Sequence, residues 1–236
     1  MNLLLFEESE LNSEGTAVIH GERAEHLRKI LKAEPGDTVA MGLVDRGIGT
    51  GRILSLEPGK AELRPEIFSS GDALYPLCLA VGMSRPIQIK RILKTAASMG
   101  VEEIRFIPTE LGENSYQQAS IWDEYRRHLI EGASQGGLCF LPRVIRHRSR
   151  EEFVEETKEY PRRLLFDLEP KSPESPLEQG QRGLLLIGSE RGWTRGEREY
   201  YLEAGFDVRG LGRRILTTET ACTAALAISL RELGLI

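Results

Sequence analysis

The sequence changes character at Ser69-Ser70-Gly71-Asp72, and the two sides of that stretch cannot belong to one regular architecture. Upstream, β-rich runs at 38–44, 52–56 and 60–68 are separated by turn signals, among them Pro35-Gly36-Asp37 and Pro58-Gly59. One helix is expected among them, at 24–32. There Ala24, Leu27, Ile30 and Leu31 make an apolar face while Arg28, Lys29 and Lys32 project elsewhere. A small β-barrel with one helix fits this pattern. Gly47-Ile48-Gly49-Thr50-Gly51 lacks GxGxxG spacing and runs into a strand, so it reads as a hairpin turn. Downstream, strands alternate with helices, the signature of a mainly parallel α/β sheet. A length of 236 residues with 40% hydrophobic content accommodates both, and the expected division is 1–70 and 73–236.

In the second part, strands are expected at 77–83, 101–108, 164–166, 183–187 and 207–211. Ser84 stands where it can cap a helix with Pro86 in its first turn; Ile89, Ile92, Leu93 and Ala96 form the inner face, and Lys90, Arg91 and Lys94 the outer. Ser120 and Asp123 open a further helix to about Ala133, and Thr194-Arg195-Gly196-Glu197 is a capping box for a helix ending at Gly205. The last helix is expected from about Thr218 to Leu233, with a loop at 171–176.

Several function classes fall away. Cys78, Cys139 and Cys222 form no CxxC pair and no even-numbered framework, which predicts reduced thiols in a cytoplasm. His20, His26, His128 and His147 never reach ligand spacing with a cysteine or with one another, so no metal is expected. Leu3-Leu4-Leu5-Phe6 turns acidic at Glu7, too short an apolar run for a leader, and no stretch suits a membrane span. The formal charge of −5 gives no overall attraction to polyanions, so a nucleic-acid partner has to meet a local cluster. Arg143, Arg146, Arg148 and Arg150, with His147 and no acid between them, are such a cluster, or else a solvated face.

Two strand ends carry the chemistry. Leu186-Ile187-Gly188-Ser189-Glu190-Arg191-Gly192 and Leu211-Gly212-Arg213-Arg214-Ile215-Leu216-Thr217-Thr218-Glu219-Thr220-Ala221 each run from a buried-type strand into glycine. Glycine lets backbone approach a ligand closely, and ligands of open α/β sheets bind at such carboxyl ends. Residues 212–216 are too long for a tight turn; Thr217 or Thr218 caps the helix that follows, and Glu219 favours its positive end. Exposed backbone amides and carbonyls in that loop suit an adenine edge. Ala221, Ala224, Ala225 and Ala227 permit close packing of the final helix against another.

At these residues the chain resembles the ribosomal RNA small subunit methyltransferase E family of the SPOUT superfamily, which methylates N3 of a uridine in 16S rRNA. The family pattern is met by Gly188, Glu190 and Gly192, then by Leu211, Gly212, Arg214, Ile215, Leu216, Glu219, Thr220 and Ala221. Weaker matches are 26–31 with Pro35-Gly36-Asp37, the basic helix at 88–101, and Glu131 with Gln135. The resemblance implies an N-terminal PUA-like barrel for RNA, a C-terminal SPOUT-type α/β domain with a deep trefoil knot, and a homodimer in which knotted helices pack together. It implies S-adenosylmethionine as cofactor, held by Leu165, Phe166, Ile187, Gly188, Ser189, Glu190, Gly192, Leu211, Gly212, Arg214, Ile215, Leu216, Thr218 and Thr220.

Attack by uridine N3 needs a proton acceptor or stabilisation of the forming oxyanion, for which Arg214, Glu219 and Glu190 are the candidates. Arg23, Arg28, Lys29, Lys32, Lys90, Arg91, Lys94, Arg143, Arg146 and Arg148 are the expected contacts to 16S rRNA of the small subunit. The chain departs from the family at Ser189, Arg191 and Thr217, the last replacing an arginine, and at Ser98 and 137–140. Those departures keep open an RNA-binding paralogue with another target or little turnover. An α/β enzyme for another nucleotide is disfavoured by the absence of GxGxxG and of a Walker lysine loop.

Overall fold

The computed structural model describes residues 3–168 and 176–236. The chain forms two compact units, Met1–Ala73 with Ile130–Leu141, and Leu74–Leu129 with Pro142–Ile236. The loop expected at 171–176 lies outside the described residues except at Pro176.

The first unit is a five-stranded sheet ordered β1-β3-β4-β5-β2, from β1 (Leu4–Phe6), β2 (Ala17–His20), β3 (Thr38–Leu43), β4 (Gly47–Glu57) and β5 (Lys60–Ser69). β1 is parallel to β3, and the remaining neighbours are antiparallel. The apolar run at the start of the chain belongs to a strand covered on both faces. Leu4 and Phe6 enter a core with Ile19, Leu27, Met41, Ile53 and Leu63, while Leu3 and Leu5 pack with Val44, Ile130, Ala133 and Cys139. That second cluster explains why residues 130–141, read from sequence as part of the second domain, group with the first. Backbone bonds hold them there: Leu3 N donates to Ser134 O (3.1 Å) and Asp45 N to Cys139 O (2.9 Å).

Two local expectations change. The glycines at 47–51 are not a turn but the first half of β4; the reversal lies just before them, with Asp45 at φ +58°. At Gly47 and Gly49 the backbone of the partner strand approaches too closely for a side chain, and at Gly51 the Met41 side chain fills the space. A Cβ on Gly49 would sit 1.9 Å from the Glu66 carbonyl oxygen, and one on Gly51 1.9 Å from Met41 Sδ. The expected helix at 24–32 is a short α1 (Glu22–Glu25) passing into a π-helical turn (His26–Ile30), closed by Leu31 N donating to His26 O at 3.0 Å. The wider turn delays the chain by one residue. Ala24 and Leu27 therefore reach the core, and Ile30 (67% exposed) and Leu31 do not.

The second unit is a six-stranded, wholly parallel sheet ordered β11-β9-β10-β6-β7-β8. Its strands are β6 (Tyr75–Gly82), β7 (Val101–Ile107), β8 (Arg143–Arg146), β9 (Arg162–Phe166), β10 (Gly183–Ile187) and β11 (Asp207–Arg209). Its helices are α2 (Pro86–Ser98), α4 (Arg150–Glu156), α5 (Arg195–Glu203) and α6 (Thr218–Glu232), and α3 (Ile121–Gly136) runs across the division between the units. β10 is buried along its whole length, as a central parallel strand must be. Ile89, Ile92, Leu93 and Ala96 of α2 are buried as expected, but Arg85 is the capping position, and the Ser84 hydroxyl donates instead to Gly82 O (2.8 Å). The capping box of Thr194 and Glu197 opens α5, whose Tyr201 meets Trp193 and Phe206 edge to face at 5.4 and 5.3 Å. Among the described residues, no helix is long and apolar enough to cross a membrane.

Charge is buried under β7. Glu103 accepts from Arg105 Nε (2.6 Å) and from the Tyr160 hydroxyl (3.1 Å), and Arg143 closes on its other oxygen. Burial alone raises a carboxyl pKa, but the hydrogen bonds from Arg143 and Arg105 outweigh it and hold Glu103 below the usual range. Arg105 also reaches Glu156 and stands 3.2 Å from His147 Nε2. Burial, then the Arg105 charge, pushes the His147 pKa below 6.5 against the opposing pull of Glu156, Glu152 and Glu103.

Two outcomes follow from this packing. Gly49→Ala forces β4 from β5 and is expected to cost about 2 kcal/mol or more in urea unfolding; an unchanged midpoint would show that the strands have slack. His147 folds as the neutral imidazole, so its contribution is complete above pH 6.5 and is lost as pH falls through that value, because only the unfolded chain then takes up the proton. Urea midpoints at pH 7.5 and 5.5 test this. The His147→Gln variant should lack that component of the fall, and an identical fall in the variant would assign it to other groups.

Candidate active site

β11, β9 and β10 are adjacent in the sheet, and the chain leaving their carboxyl ends surrounds a cavity of about 300 Å³. β9 contributes Phe166, Asp167 and Leu168; the segment after β10 contributes Ile187, Gly188, Ser189, Glu190, Arg191, Gly192 and Trp193. After β11 come Leu211, Gly212, Arg214, Ile215, Leu216, Thr218 and Ala221. Twelve residues expected at the cofactor, from Phe166 to Thr218, are thus brought together by three strand ends.

The wall after β10 is a tight reversal in which Gly192 N donates to Ser189 O (2.9 Å) and Gly192 takes φ +69°, a conformation suited to glycine. It lies close against β6: a Cβ on Gly82 would stand 2.5 Å from Ser189 N. The Ser189 hydroxyl accepts from Thr109 (3.2 Å), and Glu190 Oε1 accepts from the backbone amide of Arg85, the capping residue of α2, at 2.8 Å. Trp193 Nε1 donates to Phe166 O (3.2 Å), closing the gap between the ends of β9 and β10. In the loop after β11, Gly212 lies at φ +91°, Arg214 is exposed, and Ile215 is 85% exposed.

Three of the expected residues stand elsewhere. Leu165 points into the core with Leu184 and Leu186, because alternate residues of β9 face opposite sides. Thr220 pairs with the hydroxyl of Thr217 at 2.9 Å, one helical turn back. Glu219 leaves the cavity altogether and accepts from Arg91 Nη1 of α2 at 2.9 Å. Burial raises its pKa, but backbone amides and Arg91 prevail and keep it below the usual range. Asp167, Leu168, Arg191, Trp193 and Ala221 line the cavity without having been singled out as cofactor contacts. Asp167 follows a strand as directly as Gly188 does, so the strand-end rule applied to β9 would have found it. Its carboxylate is held by Arg198 at 3.1 Å.

Many of the expected RNA-contacting cations meet internal partners. Arg23 bonds Glu10 and Leu5 O, Arg28 and Lys29 share Glu25, and Arg91 takes Glu219. Arg143 serves the buried Glu103, and Arg146 donates to Gln117 O while lying 4.9 Å over the Trp122 ring. Arg148 is exposed, as is Lys32 in the left-handed region at φ +51°; Lys90 and Lys94 are half-buried on α2.

A parallel α/β unit with a cavity at adjacent strand ends defines a ligand-binding class, and the comparisons narrow it. Residues 72–230 match the model of the RNA methyltransferase domain. The chain is 33% identical over 242 residues to a ribosomal RNA small subunit methyltransferase E of Treponema pallidum, covering 98% of this chain and 91% of that one. It is 32% identical to ribosomal RNA small subunit methyltransferase E 1 of Borreliella burgdorferi, with 99% of both chains covered. The fold is similar, at TM-score 0.74 and 21% identity over 98% of this chain and 97% of the other, to the Neisseria gonorrhoeae ribosomal RNA small subunit methyltransferase E solved with S-adenosyl methionine. The chain belongs to the ribosomal RNA small subunit methyltransferase E family.

The Arg91–Glu219 contact ties α6 to α2, and a double-mutant cycle should find about 0.5–1 kcal/mol of coupling between Arg91→Ala and Glu219→Gln. Strictly additive losses in thermal unfolding would show that the two side chains do not act on each other.

Proposed function

We propose that the protein transfers a methyl group from S-adenosylmethionine to N3 of a uridine in 16S rRNA of the small ribosomal subunit, working in the cytoplasm as a homodimer. Its first unit is a PUA-like RNA-binding barrel, and its second is a SPOUT-type domain whose last strands and final helix form a trefoil knot. The observation that carries the reading is the convergence of Gly188, Glu190, Gly192, Leu211, Gly212, Arg214, Ile215 and Leu216 on one cavity from two distant segments. Ile87 on α2 and Ile228 on α6 are exposed apolar side chains on two helices that pack together, which supports pairing of two copies there.

The residues present fit the cofactor. Its sulfonium and ammonium are cationic and its carboxylate anionic, and the cavity offers Asp167 for the first and Arg191 for the second. Leu211, Gly212 and Leu216 line the cavity, where backbone amides and carbonyls suit an adenine edge, and Phe166, Ile187 and Trp193 provide apolar wall. When bound, the cofactor supplies an electrophilic methyl carbon for in-line displacement.

The protein's part is alignment and charge. Trp193 and the 189–192 reversal fix one wall so that nucleophile, methyl carbon and sulfur can be held in line. Arg214, exposed at the mouth of the cavity, stabilises the negative charge that gathers on the uridine oxygens as N3 loses its proton. Glu190 is the carboxylate at the cavity with an oxygen left after its bond to Arg85, and it is the group placed to accept that proton. Glu219, turned toward Arg91, holds α6 in place and takes no proton.

Tritiated methyl transfer to small subunits from cells lacking the gene, followed by mass mapping of the modified uridine, tests the reading. Cofactor binding with no transfer would favour the paralogue without turnover. Arg214→Ala is expected to lower transfer about 100-fold with the melting temperature little changed; equal losses of rate and stability would make the arginine structural.

A further inference from the structure

The outer face of the first sheet carries a pairing that an isolated protein has no reason to keep. Arg52 on β4 stands directly opposite Arg64 on β5, with Thr38 of β3 completing the row. Both arginines are exposed, and neither side chain has an ion pair or hydrogen bond with any described residue. Like charges directly opposite on antiparallel strands, with Cβ atoms about 5 Å apart, repel.

The nearby acids do not relieve that repulsion. Glu62, one step along β5, is taken by Lys60 at 2.7 Å, and Glu66 lies opposite Thr50 with no ion pair to either arginine. Leu54 and Phe68, each at a shift in the β4–β5 register, are exposed by 41% and 68%. Two unpaired guanidinium groups, with an exposed aromatic ring four residues further along β5, meet the two needs of a single-stranded nucleic acid, phosphate neutralisation and a surface for an unstacked base.

We propose that this face, centred on Arg52, Arg64 and Phe68, is an RNA-binding platform in which a backbone phosphate bridges the two arginines and a base lies on Phe68. The assignment rests on the reading of the chain as an rRNA methyltransferase. It moves the RNA contact of the first unit from α1, where Arg23, Arg28 and Lys29 are paired with acids, to the sheet. An acidic protein surface satisfies the arginines but leaves the exposed ring without a planar partner.

The test uses the full chain and small ribosomal subunits from cells lacking the gene, with binding measured as a function of KCl concentration. Arg52→Ala with Arg64→Ala should weaken binding about ten-fold and reduce the salt slope by between one and two, with S-adenosylmethionine binding unchanged. Phe68→Ala should weaken it about five-fold with the slope retained. Arg64→Gln should raise the melting temperature at low ionic strength and lose that advantage in 0.5 M KCl, a readout that needs no RNA. Wild-type binding with an unchanged slope in the double variant would overturn the platform alone, as would a lower melting temperature for Arg64→Gln, which would reveal an internal partner. Failure of the wild-type chain to bind the subunits at all would overturn the methyltransferase reading together with the platform.

Discussion

The close approach of the 189–192 reversal to the end of β6 is the contact on which the cavity depends. Gly82 leaves room for Ser189 N, and Gly188 lets Gly192 and Trp193 fold back over it. With that wall set, Trp193 reaches Phe166 O and Glu190 reaches the amide of Arg85. The ends of β9 and β10 and the start of α2 then become one rigid rim. Any side chain on Gly82 would push backbone against backbone, which a protein interior packed at crystal density cannot absorb. A cavity walled by backbone in this way presents amides and carbonyls whose positions do not depend on side-chain rotamers.

Helix α2 is the common support of both cavity loops. One carboxylate, from the segment after β10, caps it at Arg85, and another, from the start of α6, grips Arg91. The two acids look equivalent in sequence, each beside a glycine-rich strand end, yet only Glu190 lines the cavity. Their division of labour follows from helical geometry. Glu219 lies in the first turn of α6, where its side chain projects toward α2 rather than back over the loop that carries Arg214.

Much of the fold was legible because periodicity reports burial directly. Five strands of the parallel sheet, the inner face of α2 and the capping box of α5 stand where apolar spacing and turn chemistry put them, while β8 (Arg143–Arg146) was hidden because its arginines read as a charged cluster rather than a strand. Misreadings arose where a residue has two uses. Glycine marks a turn in one context and a close strand contact in another, and 47–51 is the second kind. Ile30 and Leu31 fit a helical face until one π-helical turn moves them off it. Within the site, Leu165 was misplaced by one residue of strand alternation, while Asp167 and Trp193 carried no motif to draw attention.

The net charge of −5 shows the same division between levels. Sequence locates clusters of arginine but not their partners, since an ion pair such as Arg143 with Glu103 joins residues forty positions apart and exists only once β7 and β8 are side by side. By itself the sequence determined most of the strand and helix pattern and pointed to the motif residues that line the cavity, because local propensity and burial periodicity are properties of neighbouring residues. Tertiary structure alone decided which carboxylate faces the cavity, which cations remain free and which segment completes the first unit. Those outcomes depend on distances between residues remote in the chain, and no local pattern encodes them.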